Sequence, residues 1–323
     1  MTTMSRISRN LNEALAILKA GGLVAIPTET VYGLAADASN PAALKKIFAA
    51  KGRPADHPLI VHISDVSQVE HWARAVPAAA YRLFDAFWPG PLTVICLKAP
   101  GVNTVVTGGQ NTIGLRVPDH PVARELLQLF KGGLAAPSAN RFGRISPTEA
   151  EHVAEELGDS VDLILEGGRS EVGIESTIVD LSSDEIRILR PGMISAAAIS
   201  RVLGRPVPVI AKADNAPRVS GSLMSHYAPV TPAELVDVTQ LAQRITALTA
   251  RRLVILSHVP IQATAHCTVI TLPDNPLDYA YELYAALREA DSLKADRILI
   301  SAVPADWHAI ADRLQRATHS SVA

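Results

Sequence analysis

Polar and charged side chains recur in this sequence directly after short aliphatic runs, and in open α/β sheets that is where ligands bind. Five such places stand out. The run Leu23–Ile26 leads into Pro27-Thr28-Glu29-Thr30, then Val31-Tyr32-Gly33-Leu34. Its hydroxyls and backbone amides suit a carboxylate or phosphate, and Glu29 could orient a cationic amine. The same stretch also reads as an ordinary strand-to-helix turn. Lys51-Gly52-Arg53-Pro54 precedes Asp56-His57-Pro58. Arginine offers phosphate a rigid fork and lysine a mobile point charge, although Lys51 also suits a helix C-terminus. His62 ends the next aliphatic run, where a lone histidine is usually structural. Thr112-Ile113-Gly114-Leu115-Arg116 carries an arginine at the end of a buried strand, and that charge needs an anionic partner, internal or bound.

The fourth place is Ala136-Pro137-Ser138-Ala139-Asn140, followed by Gly143 and Ser146-Pro147-Thr148-Glu149. Small residues let a backbone approach a ligand closely. Ser146 with Glu149 reads as a capping box, and a helix start is itself an anion site. The fifth is Gly173-Ile174-Glu175-Ser176-Thr177, with Arg190 at the end of the following strand. The sequence has no G-x-x-x-x-G-K-[ST] phosphate loop, no G-x-G-x-x-G fingerprint, no G-x-S-x-G elbow and no H-E-x-x-H. The residues alone describe an α/β protein with converging anion-binding groups.

Helices and strands must position these groups. Asn10 with Glu13 predicts a capped first helix, and Gly21-Gly22 ends it. Asn40, Pro41 and Gly52 predict a second helix with a stripe of Leu44, Ile47 and Phe48. Further helices are expected at 68–75, 78–87, 122–130 and 147–157. Strands are expected at 59–63, 92–97, 113–116, 134–136, 163–165, 177–180 and 186–189. Some neighbouring strands lack a helical crossover, which implies a mixed sheet. Pro206, Pro208, Pro217 and Gly221 mark a linker. Beyond it, strands at 253–256 and 298–300 with helices at 277–292 and 307–314 form a smaller Rossmann-like unit. The expected domains are 1–205, a linker at 206–229, and 230–323.

The chain has 323 residues, 48% hydrophobic and only 4% aromatic, enough for two aliphatic cores. Its formal charge is −2, balanced in both halves, which argues against a large basic face for nucleic acid. Cys96 and Cys267 stand alone in apolar runs, without disulfide or zinc spacing. Met1–Asn10 lacks an apolar core for a secretory signal. A soluble cytoplasmic protein is expected.

In order, PTETVYGL, AKGRP with HPLIVHI, WPGPLTV, TIGLRVP, APSAN with SPT, GIESTIVD and ILRPG closely resemble the threonylcarbamoyl-AMP synthase family, the YrdC-domain enzymes. The resemblance covers about Asn10–Leu203. GSLMSHYAP and the following unit resemble the longer two-domain form. It implies a twisted mixed α/β sheet with a deep, positively charged concave cavity, plus a Rossmann-like C-terminal domain. It implies a nucleotidyltransferase that joins L-threonine, bicarbonate and ATP into threonylcarbamoyl-adenylate and pyrophosphate, with Mg2+ on the phosphates. A transferase complex then delivers the group to tRNA, and the partners so implied include a weak contact with tRNA itself. On the nucleotide side the resemblance places Lys51, Arg53, His57, Thr112, Ser138, Asn140, Ser146 and Arg190. On the threonine side it places Thr30, His62, Arg116, Ala136 and Ser176. His57 stands where relatives often have asparagine. His226 and Tyr227 are expected to close the cavity as a lid, although the preceding Ser222-Leu223-Met224-Ser225 lacks the basic residues common there. No residue stands out as an essential nucleophile or base, and positioning and charge stabilisation are expected to carry most of the rate.

The competing readings are an RNA-binding module, a regulatory protein that kept the pocket without the chemistry, and a carbamoyl-transfer domain of the hydrogenase-maturation kind. The two lone cysteines leave no zinc-finger part for the last of these.

Overall fold

A computed structural model describes residues 6–210, 216–221, 225–248, 251–262 and 265–319. They fall into two compact units. The first holds Met1–Phe142, Pro147–Glu171 and Glu175–Ser222, and the second holds Gly143–Ser146, Val172–Ile174 and Leu223–Ala323. The expected linker at 206–229 is therefore divided: its part up to Ser222 groups with the first unit.

The first unit is built on an eleven-stranded mixed sheet. Its strands are β1 (Ile7–Ser8), β2 (Val24–Ile26), β3 (Gly33–Asp37), β4 (Ile60–His62), β5 (Ala73–Arg74), β6 (Leu92–Lys98), β7 (Thr112–Arg116), β8 (Leu134–Ala135), β9 (Leu163–Leu165), β10 (Thr177–Asp180) and β11 (Arg187–Arg190). The spatial order is β1-β9-β2-β3-β8-β4-β7-β6-β10-β11, with β5 beside β6. Pairs β4–β7 and β6–β10 are parallel, while β2–β3, β3–β8, β6–β7 and β10–β11 are antiparallel. Most strands have only two to five residues, so each quickly delivers the chain to a loop, and the polar residues sit in those loops or at the last strand positions.

The helix that carries Lys51 forms where its sequence dictates. Pro41–Lys51 starts at Asn40, whose side chain accepts from the amides of Ala42 and Ala43. Pro41 loses nothing in the first turn because its missing N–H has no partner there. Gly52 ends the helix at φ 60°, the left-handed conformation that glycine adopts most cheaply. Ala43, Leu44, Ile47 and Phe48 enter the main core, which joins the helix to β3, β4 and β7 through Leu34, Val61 and Leu115.

Three sequence expectations need correction. The Pro27–Tyr32 loop leads into a strand, β3, and so closes an antiparallel pair instead of opening a helix. The stretch 68–75 is a single turn at Val66–Gln68, a four-residue helix Val69–Trp72, and then β5. Ala73 pairs with Lys98, and Val76 precedes Pro77, which disfavours helical backbone. The helix expected from 147 begins at Ala150 with Glu149 as its cap residue, so Ser146 and Glu149 form no capping box. The carbonyls of Pro147 and Thr148 instead accept from Tyr32 and Ser170, which holds that stretch extended.

The part of the linker that packs with the first unit is ordered by the same rules. Ile188 donates to Pro208 and accepts from Ile210, so this stretch runs beside β11. Val219 is buried with Ile95, Ile178 and Leu189 on the sheet face. The second unit has a parallel four-stranded sheet of β12 (Ala233–Val236), β13 (Leu253–Ser257), β14 (Cys267–Thr271) and β15 (Arg297–Ser301), in the order β12-β15-β13-β14. Helices Leu241–Ala247, Pro276–Ser292 and His308–Thr318 accompany it. Strands β12 and β14 escaped the sequence reading because their residues are mostly half-buried or exposed and show no clean apolar run.

Replacing Asn40 with alanine removes two capping bonds at the start of the helix that delivers Lys51. It is expected to cost about 1 kcal/mol in chemical denaturation, with an unchanged slope.

Candidate functional site

The Pro27–Tyr32 loop is locked from within. The Thr28 hydroxyl donates to the Val31 carbonyl at 2.6 Å and lies 2.9 Å from the Thr30 hydroxyl. All three polar side chains, Thr28, Glu29 and Thr30, are buried. The loop is also pinned to its neighbours. Tyr32 donates to Pro147, Ala139 donates to Tyr32, and Leu34 donates to Pro137. Ala136, itself buried, donates to Ile60 on β4. The stretch Pro137–Asn140 is thereby held between the loop and the strand that ends in His62.

His62 and Arg116 are register partners at the ends of β4 and β7. Arg116 finds an internal counter-ion in Glu29, with Nη2 2.6 Å from Oε1 and both side chains 5% exposed. His62 is neutral. Burial first, and then the Arg116 charge, pushes its pKa down from 6.5 to about 3. Its Nδ1 makes no hydrogen bond among the described residues.

The remaining cations rest on neutral oxygens. Lys51 donates Nζ to the carbonyls of Ser138 and Asn140. Burial, and then Arg53, holds its pKa well below the usual lysine value. Arg53 donates Nη2 to the Pro58 carbonyl at 2.9 Å and to the Ser220 hydroxyl at 3.1 Å. Arg190 donates Nε to the Ser176 carbonyl, Nη2 to the Ser176 hydroxyl and Nη1 to the Ser220 carbonyl, at 3.0–3.1 Å. Ser176 also meets the Thr93 hydroxyl at 2.8 Å. A cleft opens beside these groups, lined in part by Pro58, Ile60, Thr93, Thr112, Gly114 and Ser220.

The expected residues Thr30, Lys51, Arg53, His62, Thr112, Arg116, Ala136, Ser138, Asn140, Ser176 and Arg190 thus all lie in the first unit, on these interlocked loops and strand ends. His57 is half-buried, with its ring edge-on to Phe142 at 5.3 Å. Burial, and then Arg53, lowers its pKa. Ser146 is buried and belongs to the segment grouped with the second unit. His226 and Tyr227 are also in the second unit, where the Tyr227 ring stacks on Tyr284 at 5.6 Å and carries the Arg313 guanidinium at 5.3 Å. The sequence reading missed Thr93 and Ser220. Thr93 was hidden as one hydroxyl inside the apolar run Leu92–Leu97, and nothing in the linker's composition singled out Ser220.

A mixed sheet whose strand ends gather buried cations and hydroxyls defines an α/β protein built to hold a polyanionic ligand. The chain belongs to the Sua5/YciO/YrdC family, in its two-domain form. The family model described as "Telomere recombination" matches residues 16–192, and "Threonylcarbamoyl-AMP synthase, C-terminal domain" matches residues 194–319. The chain is 37% identical over 319 residues to the threonylcarbamoyl-AMP synthase of Pyrococcus abyssi, covering 94% of this chain and 93% of that one. It is 43% identical over 229 residues to the enzyme of the same name from Bacillus subtilis, covering 70% and 66%. Pyrococcus abyssi Sua5 complexed with L-threonine superposes with a TM-score of 0.89 at 35% identity, covering 98% of this chain and 97% of that one. A variant of that protein with a consecutive histidine and tyrosine both changed to alanine matches at the same TM-score. Escherichia coli YciO shares the fold of part of the chain, with a TM-score of 0.53 at 24% identity and 62% coverage.

The depressed pKa of His62 carries a sign. The folded state refuses a proton that the unfolded chain accepts below about 6.5, so the stability due to neutral His62 is present above that pH. It is lost as pH falls toward about 3. A His62→Gln variant, followed by denaturant titration at a series of pH values, is expected to lose less stability than the parent across that window.

Proposed function

We propose that this chain is an L-threonylcarbamoyladenylate synthase, a nucleotidyltransferase that makes threonylcarbamoyl-AMP and pyrophosphate for the threonylcarbamoyladenosine modification of tRNA. The observation that carries the reading is the convergence of Lys51, Arg53, Arg116 and Arg190 in a family whose relatives bear that name. The substrates bring a triphosphate, a carboxylate and a carbamate, and these four cations suit that charge.

Lys51, Arg53, His57, Thr112, Ser138, Asn140, Ser146 and Arg190 serve ATP in this reading. Thr30, His62, Arg116, Ala136 and Ser176 serve threonine. The threonine amine, as the free base, adds carbon dioxide with loss of a proton, or bicarbonate with loss of water, and becomes a carbamate. The carbamate oxygen then attacks the α-phosphorus, and the bond to the bridging oxygen breaks to release pyrophosphate. No side chain has to form a covalent intermediate. Fixed donors at the phosphates and the carboxylate supply orientation and charge stabilisation, which contribute most when they are preorganised and dry.

Among the described residues no group of three or more His, Cys, Asp or Glu could hold a metal. Mg2+ belongs to this proposal as an ion arriving on the ATP phosphates, since it prefers phosphate oxygens and water. A downstream transferase receives the adenylate, and weak tRNA contact belongs to the same proposal. The lid role expected of His226 and Tyr227 belongs to it as well. No described helix is long and apolar enough to cross a membrane. A cytoplasmic site of action belongs to the same proposal.

Pyrophosphate release from ATP and bicarbonate is expected to depend strictly on L-threonine, and equal release without it would overturn the reading. Arg53→Ala is expected to slow release roughly 10–100-fold, the loss expected for hydrogen bonds worth about 1.5–3 kcal/mol to a charged group. Circular dichroism should be unchanged. Release at the parental rate would remove Arg53 from the site.

A further inference from the structure

We propose that Glu29 selects the amino-acid substrate by receiving its α-ammonium group, while Arg116 receives the α-carboxylate. This rests on the synthase reading and adds a residue to it.

Glu29 is 4% exposed, and neither of its carboxylate oxygens makes a hydrogen bond among the described residues. Its contact is the 2.6 Å approach of Arg116 Nη2 to Oε1. The arginine is in the same condition, since its Nε and Nη2 are buried and form no hydrogen bond there either. The two groups thus cancel in charge but leave directional bonding capacity unused. That is an expensive arrangement for a buried pair, because the attraction offsets desolvation only when the geometry is good and the other lone pairs and protons are satisfied. A carboxylate can accept about four bonds and a guanidinium can donate five.

One ligand class offers a partner to both groups without changing the net charge of the site. An α-amino acid carries a carboxylate for Arg116 and an ammonium for Glu29, so it replaces the internal ion pair by two external ones. A hydroxy acid without the amine would satisfy Arg116 and leave Glu29 a buried, unpaired anion. A simple amine would do the reverse. The surroundings suit such a ligand. Thr28 and Thr30 carry hydroxyls on either side of Glu29 in the same locked loop. His62, neutral and with a free Nδ1, stands beside Arg116. Neutral His62 adds no third charge to upset the balance.

The test measures binding by calorimetry with two ligands, L-threonine and its des-amino analogue 3-hydroxybutyrate, together with pyrophosphate release. The parent is expected to bind L-threonine at least 100-fold more tightly than 3-hydroxybutyrate. Glu29→Gln, nearly isosteric, is expected to weaken L-threonine roughly 10–100-fold while holding 3-hydroxybutyrate as tightly as the parent or more tightly, and to leave ATP affinity unchanged. Equal losses for both ligands would reduce Glu29 to a structural brace and overturn the proposal, as would unchanged threonine affinity. If Glu29→Gln does not fold, the parent's own preference decides: equal binding of the two ligands overturns the proposal. Failure of the synthase reading is seen separately, as parental pyrophosphate release that ignores threonine.

Discussion

Four cations, Lys51, Arg53, Arg116 and Arg190, are buried at 3–7% exposure, and a buried cation must be answered by oxygen. The chain answers three of them with neutral groups. Lys51 has two carbonyls, Arg53 has a carbonyl and a hydroxyl, and Arg190 has two carbonyls and a hydroxyl. These bonds satisfy geometry without cancelling charge. Arg116 meets the Glu29 carboxylate. At the Arg116 end the charge is balanced by a carboxylate, an arrangement that suits the zwitterion of the proposed function.

The fold supplies the oxygens by ending its strands early. Helix Pro41–Lys51 stops at Gly52 and points its last lysine at the carbonyls of the Pro137–Asn140 loop. That loop is itself fixed by bonds to Tyr32, Leu34 and Ile60. Ser220 reaches Arg53 and Arg190 because Val219 beside it is buried against Ile95, Ile178 and Leu189. A hydrophobic anchor one residue away thus holds a polar contact between two arginines. In the proposed function, a triphosphate takes over or extends donor bonds already directed at Ser220.

Much of this was legible in the sequence, and for local reasons. Asn40, Pro41 and Gly52 each carry a distinct backbone preference, so the helix that positions Lys51 could be read to its ends. Arg116 and Arg190 at the ends of apolar runs declared themselves as buried charges in need of partners. The identity of those partners was not legible. Glu29 lies 87 positions before Arg116, and Ser220 lies 30 after Arg190, and only the pairing order of the sheet brings them together. The capping box at Ser146 failed for the same kind of reason. Its sequence was sound, but tertiary bonds from Tyr32 and Ser170 to the carbonyls of Pro147 and Thr148 competed with helix and won. Strand β3 was obscured because Gly33-Leu-Ala-Ala-Asp has weak strand propensity and is held by neighbours on both sides.

In the proposed function, one site brings an amino acid and a nucleoside triphosphate together around a single carbon from bicarbonate. The direct measurement is to supply isotopically labelled bicarbonate with L-threonine and ATP, and to separate the products by mass. One species is expected that carries threonine, the labelled carbon and AMP, formed in step with pyrophosphate. AMP and pyrophosphate appearing without labelled carbon in any threonine-containing product would contradict that reading.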